Sequence, residues 1–245
     1  MTETGIIHHG AAEDILPTIP TNSAGLVFTS PPYNIRAGGN WGNSKRSTWK
    51  RSHFHTGGYD GHDDDMPPKA YVEWQRGILR ELLRILRLDG AIFYNHKWRV
   101  LDKKFQMHEE IIKHFPLRQI IIWDRDVKHN FCPHFYAPQY EVIYVIAHES
   151  WMPAKGHAAQ GDVWRIRPEN NTEHPAPFPL ALARKVIAGN DAEVILDPVM
   201  GSGTTAIAAE AEGRKWIGIE KSARYVEMAE KRLDESRRQQ VMDFG

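Results

Sequence analysis

The chain has 245 residues, of which 41% are hydrophobic, and this length suits one full-sized domain with its own core. Its 31 basic and 31 acidic side chains cancel, which excludes a polycation held to nucleic acid by bulk charge, so any such contact needs a local patch. A single cysteine excludes an internal disulfide. We find no apolar run of about 18 residues and no charged-then-apolar leader, and therefore expect a cytoplasmic protein.

Apolar runs of strand length alternate with segments whose apolar residues recur at helical spacing. The predicted strands, all expected to be buried and parallel, are residues 25–30, 90–95, 119–124, 141–147, 193–197 and 215–220. The predicted helices are residues 69–86, 101–114, 178–188 and 204–212, followed by a solvated helix from Ser222 into Arg237 and Arg238. This alternation predicts an α/β fold, a Rossmann-like, doubly wound and mostly parallel sheet with helices on both faces.

Two segments are polar and irregular, and we predict that they are loops or small insertions. Residues 35–68 are rich in glycine, asparagine, serine, histidine and charge, and are expected to be mobile until a substrate binds. Residues 150–173 form the second segment. No internal repeat is apparent, so residues 1–245 are expected to form a single domain that carries these two loops.

A short motif around two glycines follows the predicted strand 193–197. Its members are Asp197, Pro198, Gly201, Ser202, Gly203, Thr204 and Thr205. The glycines let backbone N–H groups approach a ligand closely at the start of a helix, which is typical of a nucleotide site. Glu220 ends the next strand, 23 residues after Asp197, near the spacing at which a carboxylate binds ribose hydroxyls. The motif lacks a Walker lysine, and Asp197 would favour a cationic ligand over a phosphate; a plain strand-to-helix turn is the alternative.

The tetrad Ser30-Pro31-Pro32-Tyr33 follows the first predicted strand. The exocyclic amine of a nucleobase is a poor nucleophile because its lone pair is delocalised, so an enzyme needs two acceptors aimed at its N–H bonds. The Ser30 side chain and the Pro31 carbonyl would fill these roles. Pro31 and Pro32 fix the backbone, and Tyr33 offers a ring for an extruded base. A simple turn is the alternative interpretation.

Together the two motifs resemble those of the beta class of S-adenosylmethionine-dependent DNA amino-methyltransferases, which act on N4 of cytosine or N6 of adenine. The tetrad is similar to their catalytic element and the glycine motif to their cofactor loop, in the permuted order of that class. The resemblance covers residues 10–233 and implies a single methyltransferase catalytic domain that converts S-adenosylmethionine to S-adenosylhomocysteine on double-stranded DNA with a flipped base. Serine at the first tetrad position favours N4 of cytosine, with N6 of adenine as the alternative.

The same resemblance implies further cofactor contacts. Residues 174–179 resemble the element that meets the cofactor from the opposite side, with Phe178 and Pro179 as the contacts. Asp14 falls where relatives carry a residue beside the adenine ring, and Ala12 is the alternative for that place. A helix start and a helix cap are the simpler interpretations of these two segments.

Basic and aromatic residues directly after the tetrad are predicted to bind DNA, because cations meet phosphates and rings meet bases. They are Arg36, Trp41, Lys45, Arg46, Trp49, Lys50 and Arg51. Asp124 and Lys128 lie in a segment that resembles the side of the family's target-base pocket, and structural ion pairs are the alternative there. Relatives read their target between that segment and residues 174–179, so residues 150–173 are a candidate target-recognition insertion. A solvated loop is the alternative for the basic segment.

The resemblance also implies what accompanies the enzyme. A cognate restriction endonuclease and a second copy of the chain are candidate partners, and no membrane is expected. The histidines show no metal-ligand spacing, so no metal is expected. Methylation of RNA or of a protein glutamine is a competing function, but its tetrad would begin with asparagine and its cofactor loop would come first. An inactive DNA-binding module is the other alternative, and the intact motifs argue against it.

Overall fold

The structure is a computed structural model, and it describes residues 4–34, 66–101, 104–127, 136–169 and 178–243. Its strands are β1 Gly5–His9, β2 Ala24–Thr29, β3 Leu86–His96, β4 Arg99–Leu101, β5 Lys104–Gln106, β6 Leu117–Asp124, β7 Tyr140–Ala147, β8 Val163–Arg165, β9 Val194–Asp197 and β10 Lys215–Glu220. Its helices are α1 Ala12–Ile15, α2 Pro68–Ile85, α3 Glu109–Ile112, α4 Leu180–Ala188, α5 Thr204–Ala211 and α6 Ala223–Asp243.

Eight strands form one sheet in the order β1-β10-β9-β2-β3-β7-β6-β8, and β4 pairs with β5 in a separate hairpin. The pairs in the main sheet are parallel except those of β7, which runs antiparallel to both β3 and β6. The predicted α/β fold with a mostly parallel sheet is confirmed. The expectation that the strand at 141–147 would be parallel is wrong. The sequence predicts no crossover helix between β6 and β7, and consecutive strands without one pair in opposite directions.

Helices cover both faces of the sheet because the buried strands are apolar on both sides. Leu26 and Phe28 of β2 pack on one face with α4, α5 and α6, whereas Val27 points to the other face with α2. Within α2, Leu79, Leu82 and other buried side chains recur at helical spacing, which explains why this helix could be predicted. The result is a three-layered domain whose central strands are fully buried.

The predicted helix at residues 101–114 is wrong over most of its length. Arg99–Leu101 pairs with Lys104–Gln106 as a hairpin, and only the short helix α3 follows. His108 has a φ of 56°, a left-handed conformation that a continuous right-handed helix cannot contain. The hydroxyl of Tyr144 in β7 also donates to the Met107 carbonyl at 2.6 Å, which fixes the chain at this point. A tertiary contact therefore overrides the local helical pattern.

The last helix is less solvated than the sequence suggested. Ala229 and Leu233 of α6 are buried in the core. Arg237, expected in a solvent-exposed tail, pairs with Glu210 of α5 at 2.6 Å. Among the described residues, none of the helices is both long enough and apolar enough to cross a bilayer.

Candidate active site

The two motifs lie at the same edge of the sheet. Strands β2 and β9 are parallel neighbours, with Leu26 opposite Ile195 and Val27 opposite Leu196. The chain therefore leaves β2 at Ser30 and β9 after Asp197 side by side, at the carboxyl ends where α/β sheets bind ligands. Phe178 packs its ring on Phe28 of β2, with 4.4 Å between centroids, which brings Phe178 and the neighbouring Pro179 to this region.

Asp197 is the buried acid of this region, with 2% of its surface exposed. Its carboxylate accepts a hydrogen bond from the Thr205 hydroxyl at 2.6 Å and one from the Val199 N–H at 3.3 Å. Burial raises the pKa of Asp197 to about 7, and the negative charge of Glu220 adds to the rise, while the hydrogen bonds oppose it. Asp197 and Glu220 thus place two buried acidic side chains near each other at this edge of the sheet.

The glycine loop is folded around Glu220. One carboxylate oxygen accepts the N–H of Gly201 and the other that of Ser222, each at 2.8 Å. Gly201 and Gly203 have φ values of 52° and 81°, which explains why glycine occupies both positions. The N–H of Gly201 is therefore used within the protein, and Glu220 fixes the loop as well as standing at the site.

Arg232 of α6 holds the other side of the glycine loop, and sequence reasoning missed it. Its guanidinium donates to the Ser202 carbonyl at 2.6 Å, to the Ser202 hydroxyl at 2.8 Å and to the Thr204 hydroxyl at 3.2 Å. Burial lowers the pKa of Arg232. The motif itself does not predict this contact, because Arg232 lies 28 residues beyond Thr204 on a helix that carries many other charged residues.

Asp14 and Ala12 lie in α1, beside the end of β10. The N–H of Gly10 donates to the Glu220 carbonyl at 2.9 Å, so α1 starts next to the glycine loop. Asp14 is exposed, whereas Ala12 is 4% exposed. The structure thus brings this segment to the site and leaves the choice between the two residues open.

The tetrad from Ser30 to Tyr33, predicted to be catalytic, is held in a buried polar network. The Ser30 hydroxyl lies 2.7 Å from the Tyr33 phenol, which donates to the Glu141 carboxylate at 3.2 Å. The Asn95 side-chain amide donates to the Tyr33 phenol at 2.9 Å and to Glu141 at 3.0 Å. Arg125 pairs with the second oxygen of Glu141 at 2.9 Å. Asn95, Glu141 and Arg125 come from three different strand ends, and sequence reasoning identified none of them.

Aromatic side chains support the backbone of the tetrad. The Pro32 carbonyl accepts a hydrogen bond from the Tyr71 phenol of α2 at 2.9 Å. The Tyr33 ring, 8% exposed, lies 4.8 Å from the His96 ring, measured between centroids. The sequence predicts that the Tyr33 ring stacks on a flipped base. In the structure this ring already packs against the His96 ring.

Asp124 forms the structural ion pair that was the alternative interpretation for it. It accepts hydrogen bonds from Gln139 at 2.9 Å and from Arg165 of β8 at 3.0 Å. These hydrogen bonds lower the pKa of Asp124 to about 2, and the bond from Gln139 has the largest effect. The described part of the candidate target-recognition insertion, residues 150–169, contributes β8 to the main sheet. Trp151 fixes its start by donating to Asn190 at 2.9 Å.

The predicted DNA-binding residues lie outside the described residues. They are Arg36, Trp41, Lys45, Arg46, Trp49, Lys50, Arg51 and Lys128. The structure does show how the basic segment is bounded, because Asn34 and Met66 exchange two hydrogen bonds. The Asn34 amide donates to the Met66 carbonyl at 2.8 Å and accepts the Met66 N–H at 2.7 Å. Within the described ranges, no three His, Cys, Asp or Glu side chains are grouped so as to hold a metal.

Comparison with known proteins assigns the chain to a class. The model of a family of DNA methylases, named for N6 and N4 methylation, matches residues 24–231. The chain belongs to this family, and it is an S-adenosylmethionine-dependent DNA methyltransferase of the amino-methylating kind. The resemblance expected from the two motifs is confirmed, and so is the cofactor.

The individual relatives include enzymes named for different roles. The DNA adenine methyltransferase YhdJ of Escherichia coli (strain K12) is 25% identical over 95% of this chain and 83% of its own length. The Type II methyltransferase M.BglII of Bacillus subtilis is 27% identical over 91% of this chain and 67% of its own. Among solved structures, the cytosine-N4-specific PvuII DNA methyltransferase has a TM-score of 0.73 at 18% identity, covering 94% of this chain and 86% of that one.

The residues at the sheet edge suit S-adenosylmethionine. The buried acids Asp197 and Glu220 match a ligand that carries an ammonium and a sulfonium group, and the raised pKa of Asp197 indicates a carboxylate that lacks a compensating cation. Glu220, whose two oxygens each accept one backbone N–H, would bind ribose hydroxyls with its remaining lone pairs, and Phe178 would offer an apolar surface. When bound, the cofactor supplies an activated methyl group, which the protein's own residues must face with a correctly oriented amine.

Proposed function

We propose that this methyltransferase is site-specific and transfers the methyl group to the exocyclic amino nitrogen of a flipped base, N4 of cytosine. The observation that carries the proposal is the adjacency of Ser30 and Asp197 at the carboxyl ends of β2 and β9. A nucleophile held at Ser30 would face a cofactor held at Asp197. Serine at the first tetrad position, an uncharged acceptor, supports cytosine as the target.

The tetrad would act by localising the lone pair of the amine. In this mechanism the Ser30 hydroxyl oxygen and the Pro31 carbonyl oxygen accept hydrogen bonds from the two N–H groups of the amine. This favours a pyramidal amine nitrogen. The Pro32 carbonyl already accepts the Tyr71 phenol, which supports assigning the backbone acceptor to Pro31. Rate enhancement then comes mainly from holding nitrogen and methyl carbon in line.

The test is to incubate the protein with methyl-labelled S-adenosylmethionine and duplex DNA, digest the DNA, and identify the labelled nucleoside. We expect N4-methylcytosine. The Ser30→Ala variant serves as the matched control, because it should bind the cofactor as the wild type does and yet label DNA far more slowly. Absence of label in DNA, or label in 5-methylcytosine, would overturn the proposal.

Methylation of N6 of adenine is the second candidate. It is supported by YhdJ, which is named an adenine methyltransferase and aligns with 95% of this chain. The same digest separates the two, since N6-methyladenine would replace N4-methylcytosine among the labelled products. Mapping the label on a plasmid by bisulfite-free sequencing would then show whether methylation occurs at one short sequence.

We further propose that the enzyme works beside a restriction endonuclease and as a homodimer. M.BglII and M2.MboI of Moraxella bovis, 27% and 26% identical to this chain, are both named Type II methyltransferases, which supports the first part. Plasmid DNA methylated by this protein should resist cleavage by an endonuclease that cuts at the methylated sequence. Sedimentation of the protein at several concentrations tests the homodimer, and a monomer at all of them would refute it.

A further inference from the structure

A series of hydrogen-bonded side chains, Ser30, Tyr33 and Glu141, leads from the sheet edge into the core beneath the tetrad. Ser30 is half-buried, whereas Tyr33 and Glu141 are 8% and 7% exposed. The Ser30 and Tyr33 oxygens are 2.7 Å apart, and the Tyr33 oxygen is 3.2 Å from the Glu141 carboxylate. The series therefore begins at a group that a ligand can reach and ends at a buried base.

The hydrogen bonds in this series all donate in one direction, from Ser30 toward Glu141. Glu141 as a carboxylate only accepts hydrogen bonds, and a phenol gains more from donating to a charged acceptor than to a hydroxyl. Tyr33 therefore directs its single proton to Glu141. Ser30 in turn donates to the Tyr33 oxygen at 2.7 Å and accepts the Asn95 amide at 3.3 Å, which leaves one lone pair of the Ser30 oxygen for a proton donor in the cleft.

Two neighbours donate hydrogen bonds to Glu141. Arg125, 8% exposed, places its guanidinium 2.9 Å from one carboxylate oxygen and balances the buried charge. Asn95 donates to the other oxygen at 3.0 Å and to the Tyr33 oxygen at 2.9 Å. Because the carboxylate offers only acceptors, the Asn95 amide must present its nitrogen here. Each of these bonds favours the same proton arrangement.

We propose that Ser30, Tyr33 and Glu141 form a proton relay that removes the proton of the target amine during methyl transfer. The inference rests on the proposed function, in which Ser30 contacts that amine. No described metal or histidine is needed for the step, because the relay ends on a carboxylate of the protein itself.

The step balances as follows. The amine nitrogen forms a bond to the methyl carbon as the carbon–sulfur bond breaks, and the nitrogen becomes positively charged. Its proton passes to the Ser30 oxygen, the Ser30 proton passes to the Tyr33 oxygen, and the Tyr33 proton passes to Glu141. A nitrogen that carries a full positive charge is a far stronger acid than a carboxylic acid, so a carboxylate paired with Arg125 still accepts the proton. Reversal of the relay to solvent after the product leaves restores the starting state.

The experiment measures single-turnover methyl transfer with saturating cofactor and DNA. Glu141→Gln keeps the length and shape of the side chain but cannot take a proton, and it should slow transfer by about 100-fold, the usual scale for losing a general base. Glu141→Asp is shorter but remains a base, and should be faster than Glu141→Gln. A role confined to packing predicts the opposite order. Cofactor affinity by calorimetry should match the wild type in Glu141→Gln, whereas the melting temperature should fall because Arg125 is then buried without its counter-charge, so the rates are compared well below that temperature.

Tyr33→Phe provides the second test, since it removes a single hydroxyl and interrupts the relay. It should slow transfer to a similar extent, and adding Glu141→Gln to it should cost nothing more. Wild-type rates in Glu141→Gln or in Tyr33→Phe would overturn the relay. If Ser30→Ala is slow while Glu141→Gln is fast, the relay alone fails; if the wild type labels no DNA, the proposed function fails.

Discussion

At the scale of single residues, Asp197 stands out because it is buried with a pKa of about 7. Below that pH it carries a proton in the free protein and offers no charge to a cationic ligand. Its ordinary pKa is 3.8, so between the two values the folded state holds a proton that the unfolded state has released. The contribution of Asp197 to the folding stability of the free protein therefore falls as the pH rises from 3.8 to about 7. A cation bound beside Asp197 would stabilise its charged form and so lower its pKa again.

This linkage predicts that the affinity for S-adenosylmethionine increases as the pH rises through about 7. Below that pH, binding should release a proton, which calorimetry in two buffers of different ionisation enthalpy can count. The Asp197→Asn variant, with similar shape and no titration, should bind more weakly and lose this pH dependence. An affinity that is flat from pH 6 to pH 8 in the wild type would remove Asp197 from the cofactor site.

Several residues of the site could be predicted from the sequence and others could not. Ser30 and Asp197 stand out because they belong to short contiguous motifs that follow a strand. Glu141, Asn95 and Arg125 do not, because each is an ordinary residue at the end of a different strand and they meet only in the folded sheet. The roles assigned to Ser30 and Asp197 stay predictions until the variants are measured.

At the scale of elements, α6 stabilises the glycine loop, predicted to bind the cofactor, through one side chain. Arg232 supplies three hydrogen bonds to Ser202 and Thr204, at a place where its charge is partly desolvated. A charged donor that satisfies carbonyl and hydroxyl oxygens contributes about 1.5 to 3 kcal/mol. The helix expected to be a solvated end thus fixes the geometry of the glycine loop.

We therefore expect Arg232→Met to weaken cofactor binding by about tenfold or more, because a loss of about 1.4 kcal/mol is already tenfold. Calorimetric titration with S-adenosylmethionine measures the change. Arg238→Met is the matched control, since Arg238 is exposed on the same helix and donates to the Asp234 carbonyl within it. Equal affinities for both variants would contradict the role of Arg232.

Local periodicity predicted most elements but failed where long-range contacts decide. The helices at residues 69–86, 178–188 and 204–212 are close to α2, α4 and α5, because α2 and α4 each bury one regular apolar stripe and α5 is a short apolar helix buried on nearly all sides. The helix at 101–114 was wrong, since His108 turns the backbone left-handed and Tyr144 holds Met107. The edge strands β1 and β8 were not predicted, because they are short and only partly buried.

At the scale of the whole molecule, the sheet divides at β2. Strands β1, β10 and β9 lie on the side of the cofactor loop, and β3, β7 and β6 carry the network under the tetrad. The order along the sheet changes direction at this boundary, where doubly wound folds bind their ligands. A ligand in this cleft contacts segments from both sides of the molecule.

Such a ligand should stabilise the whole domain cooperatively. S-adenosylmethionine at about 100 times its Kd is expected to add about 2.7 kcal/mol to the free energy of unfolding, because it binds only the folded chain. Calorimetric melting should show one transition that moves to higher temperature as cofactor is added. The Asp197→Asn variant should shift less at the same concentration. A wild-type transition that does not move would show that the cofactor is not bound at this edge.

The paired hydrogen bonds between Asn34 and Met66 have an evolutionary consequence. The 31 intervening residues begin and end at one fixed point beside the tetrad, so their length adds only a slowly growing closure entropy. Insertions, deletions and new basic or aromatic side chains can accumulate there without displacing Ser30. If this segment binds DNA, as its sequence predicts, natural selection can change the DNA contacts of the enzyme while its methylating chemistry is inherited unchanged.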